Sequence, residues 1–222
     1  MRLERIIAIL LSPQPPASTM FISLEGIDGS GKSTQAGLLA DALRSRGHEV
    51  VEVREPGGTR LGEQVRALLL DPEAEIHPRA ELLLFSAARA QLVAQTVGPV
   101  LARGAIVLAD RFFDSSTAYQ GAGRGLADPA WLEDFHTFVT DGLAPDRTIL
   151  VDVPLEVAAQ RRGDRPADRM ERGGDAFYAR VRAAYLALAD AHPDRILVVD
   201  GTTDVKALHD RIFSDVLAQL GR

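Results

Sequence analysis

The chain is 222 residues long, carries a formal net charge of −6 at pH 7 and contains no cysteine. A disulfide framework and a thiolate metal site are therefore excluded, and a broad nucleic-acid-binding surface is disfavoured. An apolar fraction of 46% suffices for one core at this length, so a single compact α/β domain is the economical reading. Twenty-three arginines stand against two lysines, with no asparagine at all; a GC-rich coding bias explains this better than adaptation to heat.

Residues 1–19 carry Arg2, Arg5, the apolar run Ile6 to Leu11, and Pro13, Pro15 and Pro16. That run is shorter than the roughly 7–15 apolar residues of a secretory signal or the about 20 of a spanning helix. The segment is read as a dispensable, disordered extension, with Met20 beginning the functional chain. A cytoplasmic protein with no membrane attachment is expected.

From residue 20 onward, strand and helix signals alternate, which predicts a parallel five-stranded sheet flanked by helices. Strands are expected near 20–25, 49–54, 105–110, 147–152 and 195–199. Helices are expected over 32–46, 60–70, 79–103, 113–120, 129–141, 154–162, 175–191 and 203–220.

The first strand, Phe21-Ile22-Ser23-Leu24, runs into Gly26-Ile27-Asp28-Gly29-Ser30-Gly31-Lys32-Ser33. This fits G-x-x-x-x-G-K-[ST], a phosphate-binding loop between a buried strand and a helix. The helix shows in the apolar positions Leu38, Leu39, Ala42 and Leu43, closed by Gly47. Glycines let backbone N–H groups wrap an anion at a helix N-terminus. In so arginine-rich a chain the lysine is notable: a compact ammonium suits bridging phosphate oxygens better than a guanidinium fork. Ser33 would offer its hydroxyl to Mg²⁺.

Ligands of such sheets bind outside the carboxyl ends of the strands. The second strand ends in Arg54, followed by Glu55-Pro56-Gly57-Gly58-Thr59; Arg54 is either a phosphate fork or a structural partner of a neighbouring acid. On the long helix Phe85 and Arg89 lie four apart and share a face, able to sandwich a base, although Phe85 among Leu82, Leu83 and Leu84 also fits a core. Ile106 to Ala109 delivers Asp110 and Arg111, a metal-holding carboxylate beside a phosphate clamp. Asp152, after Thr148 to Val151, competes for the metal role. Residues 161–172 pack Arg161, Arg162, Arg165, Arg169 and Arg172 around Gly163 and Pro166, a mobile surface segment suited to closing over transferring phosphate. The turn Asp200-Gly201-Thr202-Thr203 is a reasonable adenine contact.

Together the Gly26–Ser33 loop, Arg54 to Thr59, Leu84 to Arg89, Asp110-Arg111 and Ser115-Ser116-Thr117-Ala118-Tyr119-Gln120 resemble the thymidylate kinase family. The resemblance spans about residue 20 to the C-terminus and implies the P-loop nucleoside monophosphate kinase fold, one domain over 20–222 with a lid at about 161–174. It implies direct transfer of the ATP γ-phosphoryl to dTMP with Mg²⁺, giving dTDP for dTTP synthesis, in a homodimer. The phosphate loop, Gly26, Ile27, Asp28, Gly29, Ser30, Gly31, Lys32 and Ser33, would bind ATP, with Ser33 and Asp110 at the metal. Asp28 would contact the deoxyribose 3′-hydroxyl or nearby phosphates; Arg54 and Arg111 would grip the dTMP phosphate. Phe85 would stack on thymine and Arg89 bind its carbonyl edge. Tyr119 would crowd the 2′ position, with Ser116 and Gln120 lining the same pocket. Lys32, Asp28 and Arg111 are the catalytic candidates in the core. Ser30 stands where one type of the family carries a loop arginine, so the catalytic arginine is sought in the lid, first at Arg165 and then at Arg162 and Arg169. Another nucleotide or deoxynucleoside kinase of the same fold remains an alternative. A GTPase-type switch is disfavoured because its Asn-Lys-x-Asp motif needs an asparagine.

Overall fold

A computed structural model describes residues 19–126, 128–163, 169–170 and 173–221. The expectation of a disordered extension falls, for residues 1–18, outside the described residues. Thr19 is placed: its hydroxyl lies within hydrogen-bonding reach of the Leu101 and Ala105 carbonyls.

Five strands, β1 (Met20–Glu25), β2 (Val50–Arg54), β3 (Ile106–Asp110), β4 (Arg147–Asp152) and β5 (Ile196–Asp200), form one sheet in the order β2-β3-β1-β4-β5. Every pairing is parallel. β1 is buried along its whole length, as expected of a central strand covered on both faces. Met20, Ile22 and Leu24 point into one apolar cluster with α1 (Lys32–Ser45) and α9 (Val205–Leu220). Phe21 points to the other face, among Val53, Leu92, Val97, Val107 and Phe112. The strand order reverses direction at β1, whose neighbours are β3 on one side and β4 on the other. In open α/β sheets the crevice at such a switch point is where ligands bind.

The intervening helices are α2 (Arg60–Leu70), α3 (Pro78–Leu92), α4 (Gly98–Ala102), α5 (Phe113–Ser116), α6 (Pro129–Thr140), α7 (Leu155–Arg162) and α8 (Gly174–Ala191). The expected helix over 79–103 is present but widens into a π-helical turn over Val93–Val97 between α3 and α4. The helix expected over 113–120 likewise passes from α5 into a π-helical stretch, Thr117–Gly123. Such turns gather at functional sites because they re-aim neighbouring side chains.

Capping follows local chemistry. The Thr59 hydroxyl accepts from Gly62 N–H at 2.9 Å, and the Asp204 carboxylate accepts from Lys206 and Ala207 N–H. α1 differs, for it begins after Gly31 at φ 99° with no side-chain cap, so its amide dipoles remain available to an anion. Lys206, near the start of α9, pairs with Asp210 at 2.6 Å on an exposed surface. No described helix is long and apolar enough to cross a membrane.

Candidate active site

The glycine loop is shaped by close approach. A Cβ on Gly26 (φ 140°) would stand 2.5 Å from the Val151 carbonyl oxygen, and one on Gly29 (φ 89°) 2.4 Å from that of Ala158. Only glycine permits this descent onto β4 and α7. The Ser30 amide donates to the Ile27 carbonyl at 3.1 Å, closing the turn that aims Lys32 back across the loop. Lys32 is buried, with its Nζ 3.7 Å from Asp28 Oδ1. Burial and nearby Arg111 push its pKa down, against the opposing pull of Asp28 and Asp110. Ser33, the next residue, donates to Asp110 Oδ2 at 2.6 Å, so the two metal candidates meet across the β1–β3 crevice.

Asp28 organises the centre. It accepts from Arg111 Nη2 at 2.7 Å, from the Tyr119 hydroxyl at 3.0 Å and from the Tyr178 hydroxyl at 3.3 Å. Burial favours its neutral form, but Arg111 and Lys32 outweigh this and hold the carboxyl well below the usual range. Arg111 also donates to Ser115 Oγ and to the hydroxyls of Tyr185 and Tyr119. Its backbone lies at φ 75°, a conformation costly for a side-chain-bearing residue and typical of functional positions. It is pinned from both sides: its N–H donates to the Leu24 carbonyl at 3.0 Å, and the next amide, Phe112, donates to Glu25 Oε1 at 2.7 Å.

Glu25 was not among the sequence candidates. It is fully enclosed and also accepts from the Ser115 and Tyr185 hydroxyls at 2.6 and 2.8 Å. Burial, followed by the charge of Asp114, raises its pKa to about 7, with Arg111 and the donors of Ser115 and Phe112 pulling the other way. Only its position as the residue before Gly26 marked it. Tyr178 and Tyr185 were missed too; their seven-residue spacing puts them on one face of α8, the signal that could have found them.

The base-recognition candidates sit deeper than their spacing suggested. Phe85 is half-buried, whereas Arg89 is 1% exposed. The Arg89 guanidinium bonds Glu55 through Nε at 2.7 Å and Nη2 at 2.6 Å, and reaches Ser116 Oγ at 3.1 Å and the Phe112 carbonyl at 3.3 Å. It lies over the ring of Phe112 at 5.4 Å, so the aromatic plane it accompanies is that of Phe112. Tyr119, Ser116 and Gln120 are all buried, and Gln120 Nε2 donates to Glu81 Oε1 at 2.9 Å. Arg54 stays exposed at the end of β2, paired with Glu63 at 3.2 Å, and Glu63 also accepts from Gly58 N–H. This is the neighbouring-acid pairing weighed above, and it holds the fork on the site's rim.

Asp152 is engaged by Arg182 through two bonds of 2.7 and 2.8 Å, which leaves Asp110 the freer carboxylate for a metal. A ligand set of one hydroxyl and one carboxylate, with water and phosphate completing the shell, fits a hard octahedral ion such as Mg²⁺. No cluster of three or more acidic, histidine or cysteine residues suited to a metal occurs among the described residues.

Of the lid arginines, Arg165 lies outside the described residues. Arg162 donates to the Asp28 carbonyl at 2.7 Å and stacks 4.7 Å over Tyr178, beside the phosphate loop. Arg169 turns the other way, to the Leu69 carbonyl at 2.8 Å and Glu81 at 2.6 Å. Arg161, not singled out in the sequence, bridges the Ser30 and Gly201 carbonyls at 3.1 and 2.9 Å, joining the phosphate loop to the turn after β5.

A model of the thymidylate kinase family matches residues 24–212. The chain belongs to the thymidylate kinase family. It is 47% identical over 199 residues to the thymidylate kinase of Kosmotoga olearia, covering 89% of this chain and 95% of the relative. Identity to that of Deinococcus radiodurans is 48% over 198 residues, covering 89% and 96%. The crystal structure of thymidylate kinase from Ehrlichia chaffeensis superposes with a TM-score of 0.73 at 36% identity, covering 90% of this chain and 98% of the other. Membership of this family agrees with the five-stranded parallel sheet and with the glycine loop at the end of its central strand.

Proposed function

We propose that this chain phosphorylates dTMP to dTDP with ATP, by direct in-line transfer and without a covalent enzyme intermediate. The observation that carries the reading is the Asp28 cluster: one ionised carboxylate in the phosphate loop joined to Arg111, Tyr119 and Tyr178, inside a chain of this family. In this reading Arg111 is the acceptor-side arginine and stands against the loop that would hold the donor, and alignment of two anions is most of what phosphoryl transfer needs from a protein.

In this reading ATP phosphates lie on the Gly26–Ser33 backbone and the open N-terminus of α1, with Lys32 against the β- and γ-oxygens. Ser33 and, through water, Asp110 would hold Mg²⁺, which when bound neutralises charge on the β- and γ-phosphates. Arg111 clamps the dTMP phosphate, joined by Arg54 once it leaves Glu63. Phe85 carries the thymine ring; Arg89, Ser116 and Gln120 form the wall beside it. Tyr119, tied to Asp28, closes the space a ribose 2′-hydroxyl would need. Of the lid candidates Arg162 and Arg169, Arg162, which donates to the Asp28 carbonyl, is the one at the phosphate loop and would meet the transferring group.

Residues 20–222 act as one cytoplasmic domain in this reading, and its assembly is a homodimer. Among the described residues, Leu61 and Leu68 on α2, Leu83 on α3, and Trp131 and Phe138 on α6 are large exposed apolar side chains, with Leu38, Val198 and Val205 lying on other elements. A coupled assay offering ATP with each nucleoside monophosphate in turn tests the reaction; turnover should be greatest with dTMP, and preference for dCMP, AMP or thymidine would overturn it.

A further inference from the structure

Glu81, in the first turn of α3, is 1% exposed yet ionised. Its Oε1 accepts from Gln120 Nε2 at 2.9 Å and Arg124 Nε at 3.3 Å; its Oε2 accepts from Arg169 Nη1 at 2.6 Å and Arg124 Nη2 at 3.3 Å. Two guanidiniums thus fix a carboxylate whose remaining partner is a neutral amide. Arg124 is itself braced over Phe177 at 4.8 Å, and Met170, next to Arg169, is buried in the cluster that contains Tyr119 and Phe177. Buried charges are retained only when paired this fully.

The placement gives this cluster a role in recognition. Glu81, Phe85 and Arg89 recur every four residues along one face of α3, while Ser116 and Gln120 lie four apart on the facing segment. The bonds Glu81–Gln120 and Arg89–Ser116 are two rungs with Phe85 between them. A carboxylate has no proton to donate, so only the NH₂ end of Gln120 can face it. The carbonyl end is left for the other side.

We propose that Glu81 is a positioning residue that locks the Gln120 carboxamide with its carbonyl toward the base, selecting pyrimidines that carry an N3–H. Thymine and uracil donate there; cytosine presents a lone pair and is repelled. The proposal rests on the base lying against Phe85, as in the reading above. Discrimination of this kind is strong because a mismatched base leaves a buried polar group unpaired.

The test measures KM for dTMP and dUMP and Ki for dCMP as a competitive inhibitor, in wild type, Glu81→Gln, Gln120→Leu and the double variant. Wild-type preference for dTMP tests the reading of the reaction; the shifts among variants test Glu81. An amide at 81 keeps one acceptor for two guanidiniums and turns a donor toward Gln120. Glu81→Gln should therefore raise KM for dTMP and dUMP together by about tenfold with Ki for dCMP unchanged or lower. Gln120→Leu should lose the same discrimination, and adding Glu81→Gln to it should change the ratio no further. Equal shifts in KM and Ki, or an effect of Glu81→Gln that persists without Gln120, would show a merely structural role and overturn the proposal. Should Glu81→Gln fail to fold, Gln120→Leu decides: a wild-type ratio of KM to Ki there also overturns it.

Discussion

Arg89 shows how burial changes what a mutation reports. The family resemblance implies that its removal weakens dTMP binding. In the fold its loss would also leave Glu55 as a buried, unpaired charge, a kind of change that costs about 3–5 kcal/mol. Burial already pushes the Glu55 pKa up, and Arg89 is what opposes that shift. Arg89→Ala should therefore lower the denaturant midpoint markedly as well as raise KM for dTMP, and a variant of unchanged midpoint would mean that the Arg89–Glu55 pair contributes little. Glu25 offers a second measurement at this scale. Its pKa rises on folding from 4.5 to about 7, so the folded state holds the proton more tightly. The associated stability is present below pH 4.5 and is lost as pH rises through about 7. Chemical denaturation across that window should show that Glu25→Gln removes one downward contribution to the slope of stability with pH, beside the downward contribution of Glu55 and the upward one of His136; an identical slope in the variant would assign it to the other groups.

At the level of elements, the phosphate loop is held by contact with α7 as much as by its own glycines. Gly29→Ala would press a methyl against the Ala158 carbonyl at 2.4 Å from a backbone at φ 89°, so the loop must lift or α7 must shift. A stability loss of roughly 1–3 kcal/mol and a raised KM for ATP are expected from thermal unfolding and steady-state kinetics. The five strands were legible because each is a short apolar run bounded by turn residues or charges. The glycine loop was legible because its chemistry is contiguous. The pairing of Asp152 with Arg182, thirty residues away, was not, nor was the burial of Arg89, since both depend on which helix face the fold closes over. The π-helical stretches were also invisible, because an inserted residue leaves the surrounding apolar pattern helical. Glu25 was passed over as the last letter of a strand, although a carboxylate at the end of a wholly buried strand needs donors to remain there.

For the whole molecule, the homodimer proposed above would cover the exposed apolar residues of α2, α3 and α6. Phe138, 83% exposed, is the most accessible of them. On that proposal, Phe138→Glu should move sedimentation from dimer toward monomer while leaving the far-ultraviolet circular dichroism unchanged; a wild-type protein that sediments as a monomer, or an unaltered coefficient in the variant, would overturn it. The scarcity of lysine reaches beyond catalysis. Beside the chain's α-amino group there are only two amines, and their surroundings are opposite: Lys32 is sunk against Asp28, whereas the Lys206 side chain is 81% exposed at the start of α9. An amine-directed reagent meets a single accessible side chain, so a dye or a surface coupled through Lys206 would hold every molecule in one orientation and leave the phosphate loop untouched.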